Sequence, residues 1–342
     1  MIIIMKPTAT QADVQTICDW ITSLRYQPRV TTGTDQTVIA CIGNEINPQT
    51  VAQLEALDTV QEIIHVSKKY KLVSRDFKPE DTIVDIKGTK IGGGNIPVMA
   101  GPCAVESYDQ FHAVVADLVK LGIKVIRAMV YKPRTSTYDF QGLKEEGIRV
   151  LREVKKDFPE VAFITEVPGP NQIEGLMDVS DVFQVGARNS QNYDLLERLG
   201  KAGKPVILKR GIAGTVEEWL QSAEYLMANG CTQVILCERG IRTYETITRN
   251  CLDLGSLAAV KRLTHLPIVA DPSHGGGKLE LVIPLSRAAL GAGCDGLLVE
   301  THPDPKHAFS DAAQQIPSAT FGEYLKAIKP WHDLAVAMRQ QA

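Results

Sequence analysis

VFQVGARNSQNYDLLERLGKAGKPVILKRG, residues 182–211, contains one complete unit of the fold. The apolar run VFQVGAR ends at Arg188, a helical stretch follows at 192–202, Ala202-Gly203 marks a turn, and a second run, PVILK, ends at Lys209. Continuous apolar runs read as fully buried parallel strands, and strand–helix–strand is the building block of a parallel sheet. Outward from this stretch the unit repeats. IPVMAGPC to Cys103, KVIRAMVYK to Lys132 and AFITE to Glu166 precede it, and VILCER to Arg239, PIVADPSH to His274 and GLLVE to Glu300 follow. Helical stretches are expected near 108–121, 142–157, 170–179, 192–202, 215–229, 254–265, 279–293 and 319–340, with further turn signals at Leu121-Gly122 and Ala292-Gly293. Eight such units, in a span of about 250 residues, predict closure into a (β/α)8 TIM barrel of the α/β class. An open doubly wound sheet is the competing layout. It usually carries a GxGxxG turn after its first strand, and GPCAVES at 101–107 is not one. A barrel places its chemistry where its strands end, so eight polar or charged endings predict one ring of side chains around one pocket.

The chain has 342 residues, is 44% hydrophobic and 23% charged, and carries a formal net charge of -3. This is ordinary globular composition, and it excludes the broad basic surface that non-specific nucleic-acid binding needs. Seven cysteines, with no CxxC pair, point to a reducing cytoplasm rather than a disulfide framework. MIIIMKPTATQADV is too short an apolar start for a signal peptide, and no run approaches the ~18 apolar residues of a membrane span. A soluble cytoplasmic protein without membrane partners is expected.

Residues 1–70 read as a small α+β domain. MIIIMK is a strand, and Val14, Ile17, Cys18, Ile21 and Leu24 recur at helical spacing. PRVTTGTD and QTVIACIG follow as strands around a turn at Gly33-Thr34-Asp35; a helix from Pro48 to Leu57 and the strand VQEIIHVS complete the order. The sequence βαββαβ describes a ferredoxin-like fold. Residues 71–81, charged and without periodicity, read as a linker. Residues 82–342 form the barrel domain, with TIVDIKGTKIGGG as a hairpin that caps its floor.

Four residues suit a divalent metal: Cys103, His274, Glu300 and Asp311. Thiolate, imidazole and two carboxylates favour one transition metal, Mn, Fe, Co or Zn, over Mg or Ca. Singly each has a plainer role: a buried thiol packs as a small hydrophobe, and Asp311 could cap a turn. Their joint placement at or beyond strand ends carries the reading. A second set, Arg127, Lys132, Arg134, Arg188, Lys209 and Arg239, comes from the ends of strands two, four, five and six. Interior charges need partners, and Arg forks match phosphate or carboxylate oxygens, so two phosphorylated or carboxylated ligands are expected. In Lys132-Pro133-Arg134-Thr135-Ser136, proline fixes the backbone between two cations while hydroxyls offer neutral donors. In Asp271-Pro272-Ser273-His274-Gly275-Gly276-Gly277, the glycines let the backbone approach a ligand closely.

GPCAVES, KPRTS followed by FQGL, GARN, ILKRG, LCERGIRT and DPSHGGG resemble the type I β-subgroup 3-deoxy-D-arabino-heptulosonate 7-phosphate (DAHP) synthases over roughly residues 82–340. The N-terminal domain resembles the ferredoxin-like, ACT-related extension of some members. The resemblance implies a transferase that condenses phosphoenolpyruvate (PEP) with erythrose 4-phosphate and water as the first step of the shikimate pathway. It implies metal ligation by Cys103, His274, Glu300 and Asp311, and PEP binding by Arg127, Lys132, Gly186, Ala187, Arg188, Lys209 and Arg239. Lys132, Pro133, Arg134, Thr135 and Ser136 match the erythrose 4-phosphate loop, Glu166 a carboxylate near the attacking water, and Lys132 a proton donor or a counter-charge. Feedback control by tyrosine or phenylalanine and a homotetramer are further implications. Thr137, Ser190 and Ala312 depart from the family pattern, though none is a proposed ligand. Two alternatives stand beside this reading: a 3-deoxy-D-manno-octulosonate 8-phosphate synthase on the same barrel, whose loop usually reads KxNRSS, and a non-catalytic amino-acid sensor with a relict barrel.

Overall fold

The computed structural model of the chain describes residues 1–33, 36–43, 47–64, 69–134 and 136–340. The turn expected at Thr34-Asp35, the strand tail at 65–67 and Thr135 lie outside the described residues. The chain divides into two compact units, Met1–Asp81 with Arg262–His265, and Thr82–Lys261 with Leu266–Ala342.

The first unit runs β1 (Ile2–Met5), α1 (Gln11–Ser23), β2 (Gln27–Thr32), β3 (Thr37–Ile42), α2 (Pro48–Glu55) and β4 (Val60–Ile64). The strands form one antiparallel sheet in the order β2-β3-β1-β4. That is the ferredoxin-like order. Thr10 caps α1 by accepting from the Asp13 amide while the Asp13 carboxylate accepts from the Thr10 amide, a reciprocal box that satisfies two orphan donors. Ile3 and Met5, two apart on β1, pack with Ile17 and Ile21 of α1, Ile39 of β3 and Leu54 of α2 in one core.

The second unit opens with the hairpin β5 (Val84–Ile86) and β6 (Thr89–Ile91). The barrel then runs β7 (Val98–Gly101), α3 (Tyr108–Lys120), β8 (Val125–Arg127), α4 (Glu145–Asp157), β9 (Ala162–Glu166), α5 (Ile173–Leu176), β10 (Val182–Val185) and α6 (Tyr193–Lys201). It continues through β11 (Val206–Lys209), α7 (Val216–Ala228), β12 (Val234–Glu238), α8 (Leu254–Leu263), β13 (Ile268–Ala270), α9 (Pro272–Gly276), α10 (Leu279–Gly291), β14 (Leu297–His302) and α11 (Phe321–Gln340). The parallel strands pair in sequence from β7 to β13, and β14 pairs with both β7 and β13, which closes the ring. No helix among the described residues is long and apolar enough to cross a membrane.

Two helices are shorter than their sequence pattern. The helix expected at 142–157 starts at Glu145, because Lys144 adopts φ 54°, a left-handed backbone that no α-helix contains. The stretch 170–179 yields a short 3₁₀ turn and four α-helical residues. Gly175 sits inside it, and glycine is costly within a helix.

Side chains inside a barrel recur every second residue along each strand. Met99, Val125, Ile164, Val182, Ile207, Cys237, Val269 and Leu298 fill the lower lumen, packed with Val84, Ile86 and Ile91 of the hairpin in one buried cluster. The hairpin therefore plugs the floor with apolar surface.

Candidate active site

The next inward position on each strand lies two residues further on. There the lumen changes character: Gly101, Arg127, Glu166, Gln184, Lys209, Arg239, Asp271 and Glu300. One period-2 register thus produces an apolar layer below and a polar layer above. Buried charges must be paired or meet a ligand, and the pairing here is specific.

Glu300 is fully buried, and its Oε1 lies 2.7 Å from Arg127 Nη2. The contact lacks hydrogen-bond alignment, so Glu300 Oε1 has no hydrogen-bond partner. Its Oε2 accepts from Gln314 Nε2. Around this carboxylate, ligand atoms of Cys103, Glu300 and Asp311 lie within 4.8 Å of one another. His274 Nε2 adds a fourth donor, 3.6 Å from Glu300 Oε1 and 3.5 Å from Asp311 Oδ2. The opposite ring nitrogen, Nδ1, is 2.7 Å from Asp271 Oδ2, the outer carboxylate that commonly orients a metal-binding imidazole. Burial pushes the Cys103 thiol up to about 12, with Glu300 adding to the effect. Burial is the largest single influence and would raise both carboxyls, but the opposing contributions of His274 and Arg127 at Glu300, and of His274 and Arg249 at Asp311, together more than offset it. Both carboxyls end below their ordinary values and are ionised at neutral pH. An orphaned carboxylate oxygen and a sulfur, nitrogen and oxygen donor set fit a divalent transition metal. These residues could hold one.

Above and beside this group lies an open cleft. Lys132, Arg134, Arg188, Lys209, Arg239 and Arg249 put six cations on its wall. Glu166, His274, Asp311, Pro133, Gly186 and Ala187 complete the lining. Lys132 Nζ donates to the Cys103 carbonyl at 2.9 Å, tying the cationic wall to the candidate metal group. Lys209 Nζ lies 2.7 Å from Asp271 Oδ2, so Asp271 serves Lys209 and His274 together. Burial raises the Asp271 carboxyl, and His274 and Lys209 more than reverse this, holding it well below the usual range. Glu166 accepts from Gln184 Nε2 at 3.1 Å. A Cβ at residue 186 would meet Glu166 Oε1 at 2.2 Å, so glycine leaves room for that carboxylate at the cleft.

The structure brings most of the sequence-derived set together and places two described members, Arg127 and Ser136, off the cleft lining. Arg127 is 1% exposed and packs beneath the cleft, donating from Nε to the Pro102 carbonyl at 3.1 Å; Nη1 has no hydrogen-bond partner. Ser136 accepts from the Tyr138 amide at 3.2 Å within its own loop. Thr135 lies outside the described residues. Arg134 donates from Nε to the Phe140 carbonyl at 3.3 Å, and its buried Nη2 has no partner.

Sequence reading missed four contributors. Arg249 lies in the long irregular loop between β12 and α8, where no periodicity flags it. Asp271 was visible as a charge two residues after an inward valine, but its run was read through to His274. Gln314 and Gln315 lie past the last strand; Gln315 Oε1 accepts from the Cys103 amide at 3.0 Å. The glycines of the DPSHGGG stretch dock a neighbouring loop: the Arg249 amide donates to the Gly276 carbonyl, and the Asn250 amide to the Gly275 carbonyl.

Comparison with known proteins agrees with this geometry. Residues 81–335 match the model of the DAHP synthetase I family, and residues 1–68 match the DAHP synthase ferredoxin-like domain. The chain is 43% identical over 333 residues to a phospho-2-dehydro-3-deoxyheptonate aldolase of Thermotoga maritima, covering 97% of this chain and 98% of that one. It is 33% identical over 251 residues to a 2-dehydro-3-deoxyphosphooctonate aldolase of Acidithiobacillus ferrooxidans, covering 68% of this chain and 88% of the relative. A crystal structure of the Thermotoga maritima DAHP synthase superposes with a TM-score of 0.77 at 41% identity, covering 98% of each chain. A truncated form of that enzyme superposes with a TM-score of 0.72 at 42% identity, covering 78% of this chain.

Proposed function

We infer the activity of this chain from a plain premise: it belongs to the DAHP synthetase I family. The activity is condensation of PEP with erythrose 4-phosphate and water to give DAHP and phosphate, the first step of the shikimate pathway. One observation carries this reading: a single cleft unites Lys132, Arg188, Lys209 and Arg239 with His274 and Asp311.

PEP presents a carboxylate and a phosphate, and guanidinium and ammonium groups recognise both. Lys132, Arg188, Lys209 and Arg239 are assigned to it, with the Gly186-Ala187 backbone beside them and Arg127 Nη1 below. Arg134, with Pro133, Ser136 and Thr135 of the same loop, is assigned to erythrose 4-phosphate. In the reaction, C3 of PEP attacks the aldehyde carbon, water adds at C2, and phosphate leaves from C2. Glu166 is assigned to orient the water and accept its proton. Lys132 is assigned either to give a proton to the forming alkoxide oxygen or to serve as a counter-charge there. Cys103, His274, Glu300 and Asp311 would hold a divalent metal of the Mn, Fe, Co or Zn class, which would supply Lewis-acid chemistry to the aldehyde.

Beyond the barrel, we assign the N-terminal domain to feedback control by tyrosine or phenylalanine, a homotetramer as the assembly, and the cytoplasm as the location. The domain limits 1–70, 71–81 and 82–342 belong to the same reading. The activity is tested with erythrose 4-phosphate and arabinose 5-phosphate side by side. DAHP formation with the four-carbon sugar and little product with the five-carbon sugar is expected. The reverse preference would assign the chain to octulosonate chemistry instead.

A further inference from the structure

We propose that Arg249 is a positioning residue for Asp311. It holds one carboxylate oxygen so that the other alone is offered to the metal. The inference rests on the assignment of Asp311 as a ligand and goes beyond the family reading to a residue that reading does not use.

The two oxygens of Asp311 face different partners. Oδ2 lies 3.4 Å from Cys103 Sγ and 3.5 Å from His274 Nε2, inside the candidate metal group. Oδ1 lies 3.1 Å from Arg249 Nη1 and 3.8 Å from Arg134 Nη1, on the side away from it. Arg249 is anchored in turn, since the same Nη1 donates to Gln314 Oε1 at 2.9 Å. Gln314 Nε2 donates to Glu300 Oε2, so one arginine–amide relay fixes the outer oxygens of two ligand carboxylates.

Asp311 needs such a hold. Its backbone is left-handed, φ 53° and ψ 34°, and it opens a 3₁₀ turn without capping it through its own side chain. A carboxylate on a short irregular segment is otherwise free to rotate about χ1 and χ2 and to chelate through both oxygens. Arg249 itself comes from an irregular loop, and its position is fixed by an unusual docking. Its amide donates to the Gly276 carbonyl at 3.1 Å. A Cβ at residue 277, where φ is +69°, would meet Arg249 Cβ at 2.3 Å. Glycine at 277 therefore allows the Arg249 stem to lie flat on the segment that carries His274.

The sign of one effect separates positioning from simple charge. A cation 3.1 Å from a ligand oxygen repels a divalent metal. If Arg249 acted only through charge, its removal would tighten metal binding; if it positions Asp311, removal weakens it. The test titrates Mn²⁺ into the metal-stripped full chain by calorimetry, for wild type, Arg249→Met and Arg249→Lys, with thermal melting as the fold control. The expected result is a Kd raised about tenfold or more in Arg249→Met, the magnitude typical of losing an outer partner of a metal ligand. Arg249→Lys should recover part of that loss. Should Arg249→Met fail to fold, Arg249→Lys, which keeps the stem packed on Gly277, carries the test through a smaller rise in Kd. An unchanged or lower Kd would overturn the proposal. So would an unchanged Kd with a raised KM for erythrose 4-phosphate, which would make Arg249 a substrate receptor. Absence of DAHP formation by wild type would refute the assigned activity while leaving the metal titration readable.

Discussion

The floor and the mouth of the barrel are built from the same strands, two residues apart, yet they obey opposite rules. Ile207 belongs to the apolar floor, and Lys209, next inward on β11, faces the cleft. Val269 belongs to the floor, and Asp271 above it pairs with Lys209 and His274. The floor is stabilised by removal of apolar area from water and by close packing. The mouth holds buried charge that pairing only partly compensates, since Glu300 Oε1, Arg127 Nη1 and Arg134 Nη2 have no hydrogen-bond partner. A protein selected only for stability would not leave such atoms. On the proposed function, ligands would complete these atoms.

The comparison is broken most severely by removing half of a buried pair in the mouth. Lys209→Met leaves Asp271 fully buried beside an uncharged neighbour, and loss of one partner of such a pair costs about 3–5 kcal/mol. Denaturant unfolding should show that loss, and activity should fall with it. In the floor, Ile207→Ala should cost about 2–5 kcal/mol through a cavity. Its KM for PEP should be unchanged, because Ile207 lies outside the cleft lining.

Gly186→Ala sharpens the contrast from the other side. The added Cβ would press on Glu166 Oε1, and displacement of a catalytic group by about 1 Å costs roughly 100-fold in rate. Steady-state kinetics should show that fall with a melting temperature close to wild type.

A further expected effect is alkaline. Burial pushes the thiols of Cys237, in the floor, and Cys294 from 9.0 up to about 12. Between pH 9 and pH 12 the unfolded chain loses these protons while the folded chain keeps them, so stability declines as pH rises. Each thiol contributes up to about 1.4 kcal/mol per pH unit in that window. Melting curves from pH 8 to 11 should show the decline, and Cys237→Ala with Cys294→Ala should reduce its slope.

Much of this was legible in the sequence because charge interrupts apolar runs only where strands end. Lys209, Glu166 and Glu300 stand at or one period above the core, and their runs stop with them. Where two polar residues share a run, the sequence is ambiguous. KVIRAMVYK ends at Lys132, but β8 ends at Arg127, and Lys132 reaches the cleft from the loop beyond. Arg127, at the end of β8, lies beneath the cleft, against Glu300. PIVADPSH drew attention to His274 and hid Asp271. Arg249 was not legible at all. Its place depends on backbone pairing with Gly275 and Gly276, a long-range contact that no local spacing encodes.

The central claim is that the polar layer above the barrel floor is a metal-dependent site for joining PEP to an aldose phosphate. Its most direct test is DAHP formation from PEP and erythrose 4-phosphate by the full chain, before and after exhaustive chelation. The account predicts that activity disappears on chelation, returns with about one equivalent of Mn²⁺, and does not return in Cys103→Ala. Undiminished turnover after complete metal removal would contradict it.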